Sequence, residues 1–291
     1  MRTAAIIGAR SMLGSQLIKR LQQRGIATVT IGRSETDDIV FDLMAPVARA
    51  SVDVTADVVF HCAASFAGDN DDGFHQNFAA NAASAVAVAG LVRDLKATAL
   101  VYAGSASSDQ TLDPGNFTSY GLSKGIAEQI FGWALQRQNV RFCSLRFSQL
   151  FDTEGRCCDH QAWFGRIIAY AAQGQDIRMP RSDGVRNFLH VRDAADLMIR
   201  AAERDVAGVL DVAHPESLTI EQIADMAFDV FGKGGRSVIA PEKTPFRPIH
   251  FPDSAKAFER MDFEPAINMR DGITMIRDAQ TAAAFGPMDL T

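Results

Sequence analysis

The sequence predicts an α/β fold with a doubly wound parallel sheet, and three observations lead to that prediction. Short apolar runs alternate with longer segments of helical apolar spacing through the first two thirds of the 291 residues. The first run, Thr3–Ile7, ends in Gly8 and is followed at once by a helical segment. The apolar runs are nearly continuous, which is typical of parallel strands that helices cover on both faces.

Each predicted element follows from its own pattern. Helical apolar spacing predicts a helix over Met12–Arg24, which Gly25 ends. In chain order, the further elements are strand Ala27–Ile31, strand Asp57–His61, an alanine-rich helix from Gln76 to Leu95, strand Ala99–Ala103, helix Tyr120–Gln138, strand Val140–Phe147, helix Ala162–Ala172, helix Val191–Glu203, strand Gly208–Val212 and a helix that opens at Ser217–Glu221. The segments Asp152–Asp159 and Gly174–Gly184 are predicted loops.

Composition and charge narrow the function classes. The net charge is -6 and lysine and arginine form no block, which argues against nucleic-acid binding. No apolar run is long enough to cross a membrane, and Gly8 and Arg10 interrupt the first run before it reaches the length of a signal peptide. The four cysteines lack the spacing of a metal site, and reduced thiols fit the cytoplasm. The sequence predicts a cytoplasmic protein without nucleic-acid, membrane or metal binding.

The first strand, turn and helix form a candidate phosphate-binding site. Gly8 at the end of the strand permits a tight turn and a close approach of the backbone to a diphosphate. The helix that follows offers unpaired amide groups and a partial positive charge to that anion, and Gly14 lets it pack close to the sheet. The predicted cofactor contacts here are Gly8, Arg10, Ser11, Met12, Leu13 and Gly14. The alternative is a plain strand–turn–helix with two incidental glycines.

The residues after the second strand indicate which dinucleotide binds. An NAD enzyme usually has Asp or Glu there, which accepts hydrogen bonds from the adenosine ribose. Here the sequence is Gly32-Arg33-Ser34, and a guanidinium binds a 2′-phosphate bidentately. Arg10 can reach the same region. The pattern favours NADP(H), with NAD(H) as the alternative; a solvated loop charge is the other interpretation of Arg33.

A YxxxK motif, Tyr120-Gly121-Leu122-Ser123-Lys124, is the strongest chemical signal in the chain. Residues four apart share one helix face, so Tyr120 and Lys124 can point into one cavity. The positive charges of the lysine and of an oxidised nicotinamide favour the phenolate, which predicts a lowered tyrosine pKa and suits Tyr120 to proton transfer. Just upstream, the strand Ala99–Ala103 runs into the small hydroxyl residues Ser105 and Ser107. The alternative is a chance Tyr and Lys on a solvated helix.

Together these motifs resemble the nucleotide-sugar epimerase/dehydratase/reductase family of extended short-chain oxidoreductases. The resemblance covers nearly the whole length and includes Gly184–Ala195, Gly208–Ala213 and the stretch that begins at Arg247. One departure is Ser11, which replaces the middle glycine of the family's GxxGxxG turn.

The resemblance implies a domain organisation and an assembly. It implies a Rossmann-type NAD(P)-binding domain over residues 1–150 with about 186–213, and a smaller C-terminal substrate-binding lobe over about 151–185 and 214–291. It also implies a homodimer, formed through the helices that carry Asn81 and Lys124.

The resemblance further implies roles for individual residues. Ser105 matches the residue that steadies the substrate oxygen, with Ser107 as the alternative, and Asn81 matches the asparagine that supports the lysine through the helix backbone and a water. The implied cofactor contacts, besides those of the first turn and Arg33, are Asp42, Leu43, Cys62, Ala63, Ala64, Tyr120 and Lys124. The implied contacts to a nucleotide-diphosphate-sugar are Ser107, Gln149, Arg186 and Arg247, of which the two arginines bind the diphosphate.

Several functions remain open at this point. The first is NADPH-dependent reduction of a nucleotide-linked 4-keto-sugar with Tyr120 as general acid, because Arg10–Ser15 is similar to the 4-keto-sugar reductases. The second is NAD-dependent 4-epimerisation of a nucleotide sugar, and the third is a non-catalytic dinucleotide sensor. Reduction of a non-sugar ketone is a further alternative. Dehydration is disfavoured, because Ala106 and Ser107 replace the Asp and Glu of the family's dehydratases.

Overall fold

A computed structural model of the chain describes residues 1–45, 53–286 and 288. The chain divides into two compact units. The first unit comprises Met1–Phe147, Ala194–Val212 and Pro252–Glu264, and the second comprises Ser148–Asp193, Ala213–Phe251 and Pro265–Thr291.

Strands and helices alternate along the described residues. The strands are β1 Thr3–Ile7, β2 Ala27–Gly32, β3 Ile39–Val40, β4 Val58–His61, β5 Ala99–Ser105, β6 Arg141–Phe147, β7 Gln149–Phe151, β8 Ile177–Met179, β9 Arg186–His190, β10 Gly208–Val212, β11 Ser217–Leu218 and β12 Ser237–Ile239. The helices are α1 Met12–Gln23, α2 Asp71–Asn77, α3 Ser84–Asp94, α4 Ser119–Gln136, α5 Ala162–Gln173, α6 Val191–Glu203, α7 Ile220–Phe231, α8 Ala255–Met261 and α9 Met269–Asp278. Within the same residues, no helix has both the length and the apolar character needed to cross a membrane.

The first unit is built on a parallel sheet with the strand order β10-β6-β5-β4-β1-β2-β3. From β1 the chain builds the sheet in one direction through β2 to β3, and from β4 it builds it in the opposite direction through β5 and β6 to β10. The sheet is therefore doubly wound. In such sheets, ligands bind outside the carboxyl ends of the strands where the order reverses. The predicted α/β class with a Rossmann-type doubly wound parallel sheet is confirmed.

The core of the first unit explains why these runs form strands. Apolar side chains from β1, β2, β4 and β5 pack with those of α3 and α4, and full burial of each stabilises the fold by about 1.5–3 kcal/mol. Fully buried members of this cluster include Ile7, Ile31, Val59, Val88, Leu100, Tyr102 and Phe131.

The second unit has two small sheets. One is a three-stranded sheet in the order β11-β9-β7, and the other pairs β8 with β12 in parallel. Its core contains mutually packed aromatic rings, among them Phe151, Phe164 and Phe188, with ring centroids 5.4–5.9 Å apart.

Three local predictions differ from the structure. The predicted loop Gly174–Gly184 contains β8, because its partner β12 lies about sixty residues further on and the pairing leaves no local signal. Ser217 belongs to β11, and the helix begins only at Ile220, capped by Thr219 together with Gln222 rather than Glu221. The predicted helix from Gln76 to Leu95 begins at Asp71 and is interrupted by a π-helical segment at 78–83.

Candidate active site

Ser105 and Tyr120 meet at the carboxyl end of β5. Ser105 is the last residue of that strand, and Tyr120 lies in the first turn of α4, which Thr118 caps by accepting a hydrogen bond from the Gly121 amide at 3.2 Å. A hydrogen bond joins the Ser105 and Tyr120 side chains. A side chain at Gly121 would overlap the Ser107 carbonyl, so glycine permits this close approach of helix and strand end. The structure therefore brings the two predicted hydroxyl groups together.

Lys124 lies one helical turn after Tyr120 and is buried. Its Nζ donates a hydrogen bond of 2.7 Å to the Ala103 carbonyl and lies 4.0 Å from the centroid of the Tyr102 ring. Burial lowers the pKa of Lys124 to about 7, while the nearby Glu128 and Cys62 act in the opposite direction.

The predicted fall in the tyrosine pKa is wrong for the protein alone. Burial raises the pKa of Tyr120 to about 12, and the hydrogen bond with Ser105 offsets part of that rise. The reason is that desolvation penalises the phenolate more than the surrounding charges favour it. Lys124 itself is partly neutral near pH 7, which weakens the attraction on which the prediction depended.

Asn81 lies in the π-helical segment at 78–83 and is 3% exposed. Its Oδ1 accepts a hydrogen bond of 2.8 Å from the Ser65 amide, and its Nδ2 donates to the Ser65 carbonyl at 2.9 Å and to Ser123 Oγ at 3.0 Å. Asn81 therefore does not face solvent. The structure places Asn81 against the residue that precedes Lys124, and its support of that lysine stays a prediction.

The turn after β1 has the close packing that a phosphate cradle needs. Gly8 has φ +82°, and a Cβ there would lie 2.7 Å from the amide nitrogen of Ala63. A Cβ at Gly14 would overlap the Gly8 carbonyl oxygen. Ser11 caps α1, since its Oγ accepts a hydrogen bond of 3.0 Å from the Gly14 amide. In the same turn and first helical residues, Met12 is half-buried and Leu13 is buried.

The loop at residues 32–37, called the β2 loop below, gathers polar groups beside Arg10. The Arg10 guanidinium donates to the Thr36 hydroxyl and lies 3.5 Å from the Asp37 carboxylate. Asp37, which the sequence analysis did not single out, also accepts a hydrogen bond of 3.1 Å from the Ser34 amide. Arg33 is exposed on this loop. The structure thus brings Arg10 to the β2 loop, as the sequence suggested.

The other predicted cofactor contacts follow the ends of β3 and β4, which are separated in the sheet by β1 and β2. Asp42 Oδ1 accepts a hydrogen bond of 2.9 Å from the Met44 amide, while Leu43 and Ala63 pack against the core of the first unit. Cys62 Sγ lies 3.9 Å from the Met198 sulfur, and burial raises the pKa of its thiol to about 12. Ala64 is exposed.

The predicted substrate contacts are divided between the units. Ser107 belongs to the first unit, where its amide donates a hydrogen bond of 3.2 Å to Ser105 Oγ. In the second unit, Gln149 is half-buried and pairs with β9, which begins at Arg186. The Arg186 guanidinium is buried, donates 2.9 Å to the Val185 carbonyl and lies 5.8 Å from the Phe246 ring centroid. Arg247 follows Phe246 directly in the sequence and is exposed.

A buried ion pair behind Lys124 was missed by the sequence analysis. Glu128 accepts hydrogen bonds from Ser144 Oγ at 2.7 Å and from Arg146 Nη2 at 2.7 Å. A side chain at Gly104 would overlap Ser144 Oγ, so the strand must carry glycine next to this pair. The available signal was the four-residue spacing from Lys124 to Glu128, which places both on one helix face.

Comparison with known proteins adds relatives of two kinds. UDP-glucuronic acid decarboxylase 6 of Arabidopsis thaliana is 24% identical over 163 residues, which cover 55% of this chain and 46% of that protein, so the chain spans about half the length of that relative. The dTDP-4-dehydro-6-deoxy-D-allose reductase of a Streptomyces species is 24% identical over 303 residues, which cover 91% of this chain and 92% of that protein.

Solved structures share the fold over nearly the full length. UDP-N-acetylglucosamine 4-epimerase from Bacillus cereus has a TM-score of 0.76 at 21% identity, covering 100% of this chain and 99% of that one. The Bordetella bronchiseptica enzyme WbmF in complex with NADH has a TM-score of 0.76 at 18% identity, covering 97% and 94%. The model of the NAD-dependent epimerase/dehydratase family matches residues 4–213. The chain therefore belongs to that family, in agreement with the resemblance of its motifs.

Proposed function

We propose that this chain reduces a nucleotide-linked 4-keto-sugar at the expense of NADPH. The observation that carries the proposal is the hydrogen-bonded pair of Ser105 and Tyr120 with Lys124 one turn further along the helix. The turn at Gly8 and Gly14 has the tight strand–helix packing of a dinucleotide site, because a Cβ at either glycine would overlap neighbouring backbone. When bound, the nicotinamide supplies the hydride.

Tyr120 is suited to act as the proton donor. With a pKa of about 12, its phenol is fully protonated near neutral pH and can give that proton to the keto oxygen as the neighbouring carbon becomes an alcohol. The Ser105 hydroxyl steadies the same oxygen, and Lys124 in its ammonium form stabilises the phenolate that remains. A proton from solvent then restores Tyr120.

The polar groups of the second unit support a nucleotide-sugar substrate. The Arg186 guanidinium lies 5.8 Å from the Phe246 ring centroid, Arg247 is the next residue along the chain, and a planar guanidinium suits diphosphate oxygens. Gln149, and Ser107 of the first unit, supply neutral groups for sugar hydroxyls. The reductase from Streptomyces, which is named for a dTDP-linked 4-dehydro-sugar, aligns with 91% of the chain and supports this class. We assign the dinucleotide to the first unit and the nucleotide sugar to the second.

The preference for NADP(H) is proposed from the β2 loop. Arg10 donates to the Thr36 hydroxyl, which contacts the Ser34 hydroxyl, and Arg33 is exposed on the same loop, a set that suits a 2′-phosphate. The carboxylate of Asp37 is engaged by the Ser34 amide and by Arg10, which offsets its repulsion of a phosphate. NAD(H) is the alternative, favoured by the family's name and by the NADH bound to WbmF.

A second candidate is 4-epimerisation with retained NAD. It is favoured by the full-length similarity to the Bacillus cereus 4-epimerase. The same Tyr120 would remove a proton from the 4-hydroxyl and return it after the keto-sugar has rotated in the site to present its other face.

A cofactor balance distinguishes these functions. The chain is mixed with a nucleotide-linked 4-keto-sugar and NADPH, and both nicotinamide oxidation and sugar products are followed. A reductase forms one alcohol for each NADPH consumed. Interconversion of two nucleotide sugars without net change in cofactor would establish the epimerase, and NADPH binding without turnover of any tested sugar would leave the non-catalytic sensor.

A further inference from the structure

Two asparagines bind one short segment in the same manner. Asn77, the last residue of α2, accepts a hydrogen bond of 2.9 Å from the Ala67 amide and donates 3.1 Å to the Ala67 carbonyl. Asn81, four residues later, makes the corresponding bonds of 2.8 and 2.9 Å to Ser65. The backbone on both sides of Phe66 is therefore fixed by side-chain amides.

The same asparagines also bind the catalytic helix. Asn77 Nδ2 donates to Ser119 Oγ at 2.9 Å, and Asn81 Nδ2 donates to Ser123 Oγ at 3.0 Å. Ser119 immediately precedes Tyr120, and Ser123 immediately precedes Lys124. Asn77 is 0% exposed, and buried amides with such complete bonding hold one geometry. The side chains of Asn77 and Asn81 thus each form hydrogen bonds both to segment 65–67 and to the start of α4.

Phe66 lies at the centre of this arrangement and contacts Tyr120. Its ring packs edge-on against the Tyr120 ring, with centroids 4.5 Å apart and planes inclined by 66°. Phe66 is nevertheless 53% exposed, so a large apolar ring faces outward beside the proposed proton donor. At this exposure, burial in the core does not account for the position of the ring.

We propose that Asn77 and Asn81 form a clamp that holds Phe66 against Tyr120, and that Phe66 is a positioning residue that fixes the Tyr120 ring and shields it from water. The proposal rests on the function proposed above for Tyr120. The π-helical segment at 78–83 contains Asn81, and such widened turns are frequent at functional sites. Removal of the Phe66 ring leaves the backbone clamp intact but opens one side of Tyr120.

The clamp predicts a change in the pH profile with a definite sign. Burial raises the pKa of Tyr120 to about 12, so exposure to water lowers it and the alkaline loss of turnover moves to lower pH. Other titratable groups near Tyr120 are Tyr102 on β5, Lys124 on α4 and Asp69, whose carboxylate accepts the Ser119 amide at 2.7 Å. None of these is altered by a change at Phe66.

The first test compares Phe66→Ala with Phe66→Leu and with Phe74→Ala as a matched control. Phe74 is an exposed phenylalanine on α2 whose ring contacts His75 and Phe78. We expect Phe66→Ala to lower kcat about 10- to 100-fold through misplacement of the proton donor, to shift the alkaline limb to lower pH and to leave NADPH affinity unchanged. Phe66→Leu restores part of the loss, and Phe74→Ala resembles the native protein.

A readout without substrate separates this proposal from the proposed function. The chain has three tyrosines, so 3-fluorotyrosine labelling gives a small set of fluorine resonances, with Tyr120 assigned by Tyr120→Phe. A soluble paramagnetic agent should broaden the Tyr120 resonance more in Phe66→Ala than in the native chain, while Tyr102 and Tyr170 stay unchanged. Absence of turnover with every nucleotide sugar would refute the proposed function, but unchanged broadening of Tyr120 would refute the shield itself.

The role of Asn77 is tested through its dependence on Phe66. If the clamp acts through that ring, the variant Asn77→Ala with Phe66→Ala loses no more kcat than Phe66→Ala alone. Because Asn77→Ala leaves buried backbone groups unpaired, Ser119→Ala is a milder second variant that removes one acceptor of the clamp. The clamp would be overturned if the kcat losses of Asn77→Ala and Phe66→Ala multiplied in the double variant. It would also be overturned if Asn77→Ala and Ser119→Ala lowered thermal stability but left the pH profile unchanged.

Discussion

The catalytic end of the first unit and its β2 loop are held in place in different ways. Ser105 and Lys124 are buried and bonded to neighbouring groups of β5 and α4. On the β2 loop, Arg33 is exposed and the Arg10 side chain is 62% exposed. The proposed catalytic groups are therefore fixed by the same contacts that stabilise the fold, whereas the side chains proposed to select the cofactor lie at the surface. Changes at the first region should affect activity and stability together, and changes at the second should affect affinity alone.

The largest expected effect is on turnover at the catalytic end. Tyr120→Phe removes the proton donor while keeping the ring, so kcat should fall about 10²- to 10⁴-fold. Cofactor affinity, measured by fluorescence titration with NADPH, should stay within error of the native value. Tyr170→Phe, in the second unit, is the control. Native kcat in Tyr120→Phe would exclude the proposed acid.

The next effect concerns the buried ion pair beneath Lys124. In this pair the side chain of Glu128 is 4% exposed and that of Arg146 is 20% exposed. Glu128→Ala removes the carboxylate that pairs with Arg146. Loss of one partner from a buried pair should lower the free energy of unfolding by about 3 kcal/mol, measured by urea denaturation. Asp94→Ala breaks the exposed pair with Arg93 and should have little effect. Equal effects at both sites would mean that burial does not distinguish them.

The pH dependence of the free energy of unfolding should report the lowered pKa of the buried Lys124. The pKa of Lys124 is about 7 in the folded chain against 10.5 for an ordinary lysine, so the unfolded chain binds more protons between these values. Stability from this group therefore rises with pH across that window, by at most about 1.4 kcal/mol per pH unit. Lys124→Met should be stabilising relative to the native chain near pH 6, with a gain that shrinks by pH 9. For Lys256→Met, at an exposed lysine, the difference in free energy of unfolding from the native chain should not change with pH. The same constant difference for Lys124→Met would contradict the lowered pKa of Lys124.

A smaller effect, confined to affinity, is expected on the β2 loop. Arg33→Ser should weaken NADPH binding about ten-fold, because one charge-assisted contact to the 2′-phosphate is lost, and should leave NADH binding unchanged. The free energy of unfolding should not change. Arg236→Ser, an exposed arginine of the second unit, provides the control. Parallel weakening of NADH would show that Arg33 does not select the cofactor.

The smallest expected effect concerns the predicted homodimer. Helices α3 and α4 line a groove of about 680 Å³ that includes Val86 and Trp133, which are 66% and 67% exposed. If a second copy of the chain covers this face, Trp133→Glu should shift the mass measured by light scattering from two chains toward one, with little change in the kcat of each chain. Ile239→Glu, at a residue on β12 that is 43% exposed and outside that groove, is the comparison. A native protein that is monomeric at all concentrations would end the dimer prediction.

The sequence predicts best those parts that depend on neighbours in the chain. The apolar runs of β1, β4 and β10, the helix α6 and the spacing of Tyr120 and Lys124 are local patterns, and the structure contains them within a residue or two. The family that these motifs indicated is confirmed by the match over residues 4–213.

Features that depend on distant partners were missed. The pairing of β8 with β12, the position of Asp37 beside Arg10 and the bonds of Asn77 to Ala67 and Ser119 arise only after the chain folds. The direction of the Tyr120 pKa shift was wrong for the same reason, because burial is a property of the assembled site.

The widened turn at 78–83 determines what the deletion of a single residue there would do to the helix. It fits one extra residue per turn into an otherwise continuous helical run, so deletion of a single residue there would restore ordinary α-helical spacing. The helix beyond the turn would keep its orientation, because the widened turn already absorbs the extra residue. A deletion between Asn77 and Asn81 would nevertheless shorten their spacing from four residues to three, which turns one side chain by about 100° relative to the other. Loops at the surface, by contrast, commonly tolerate the loss of one residue.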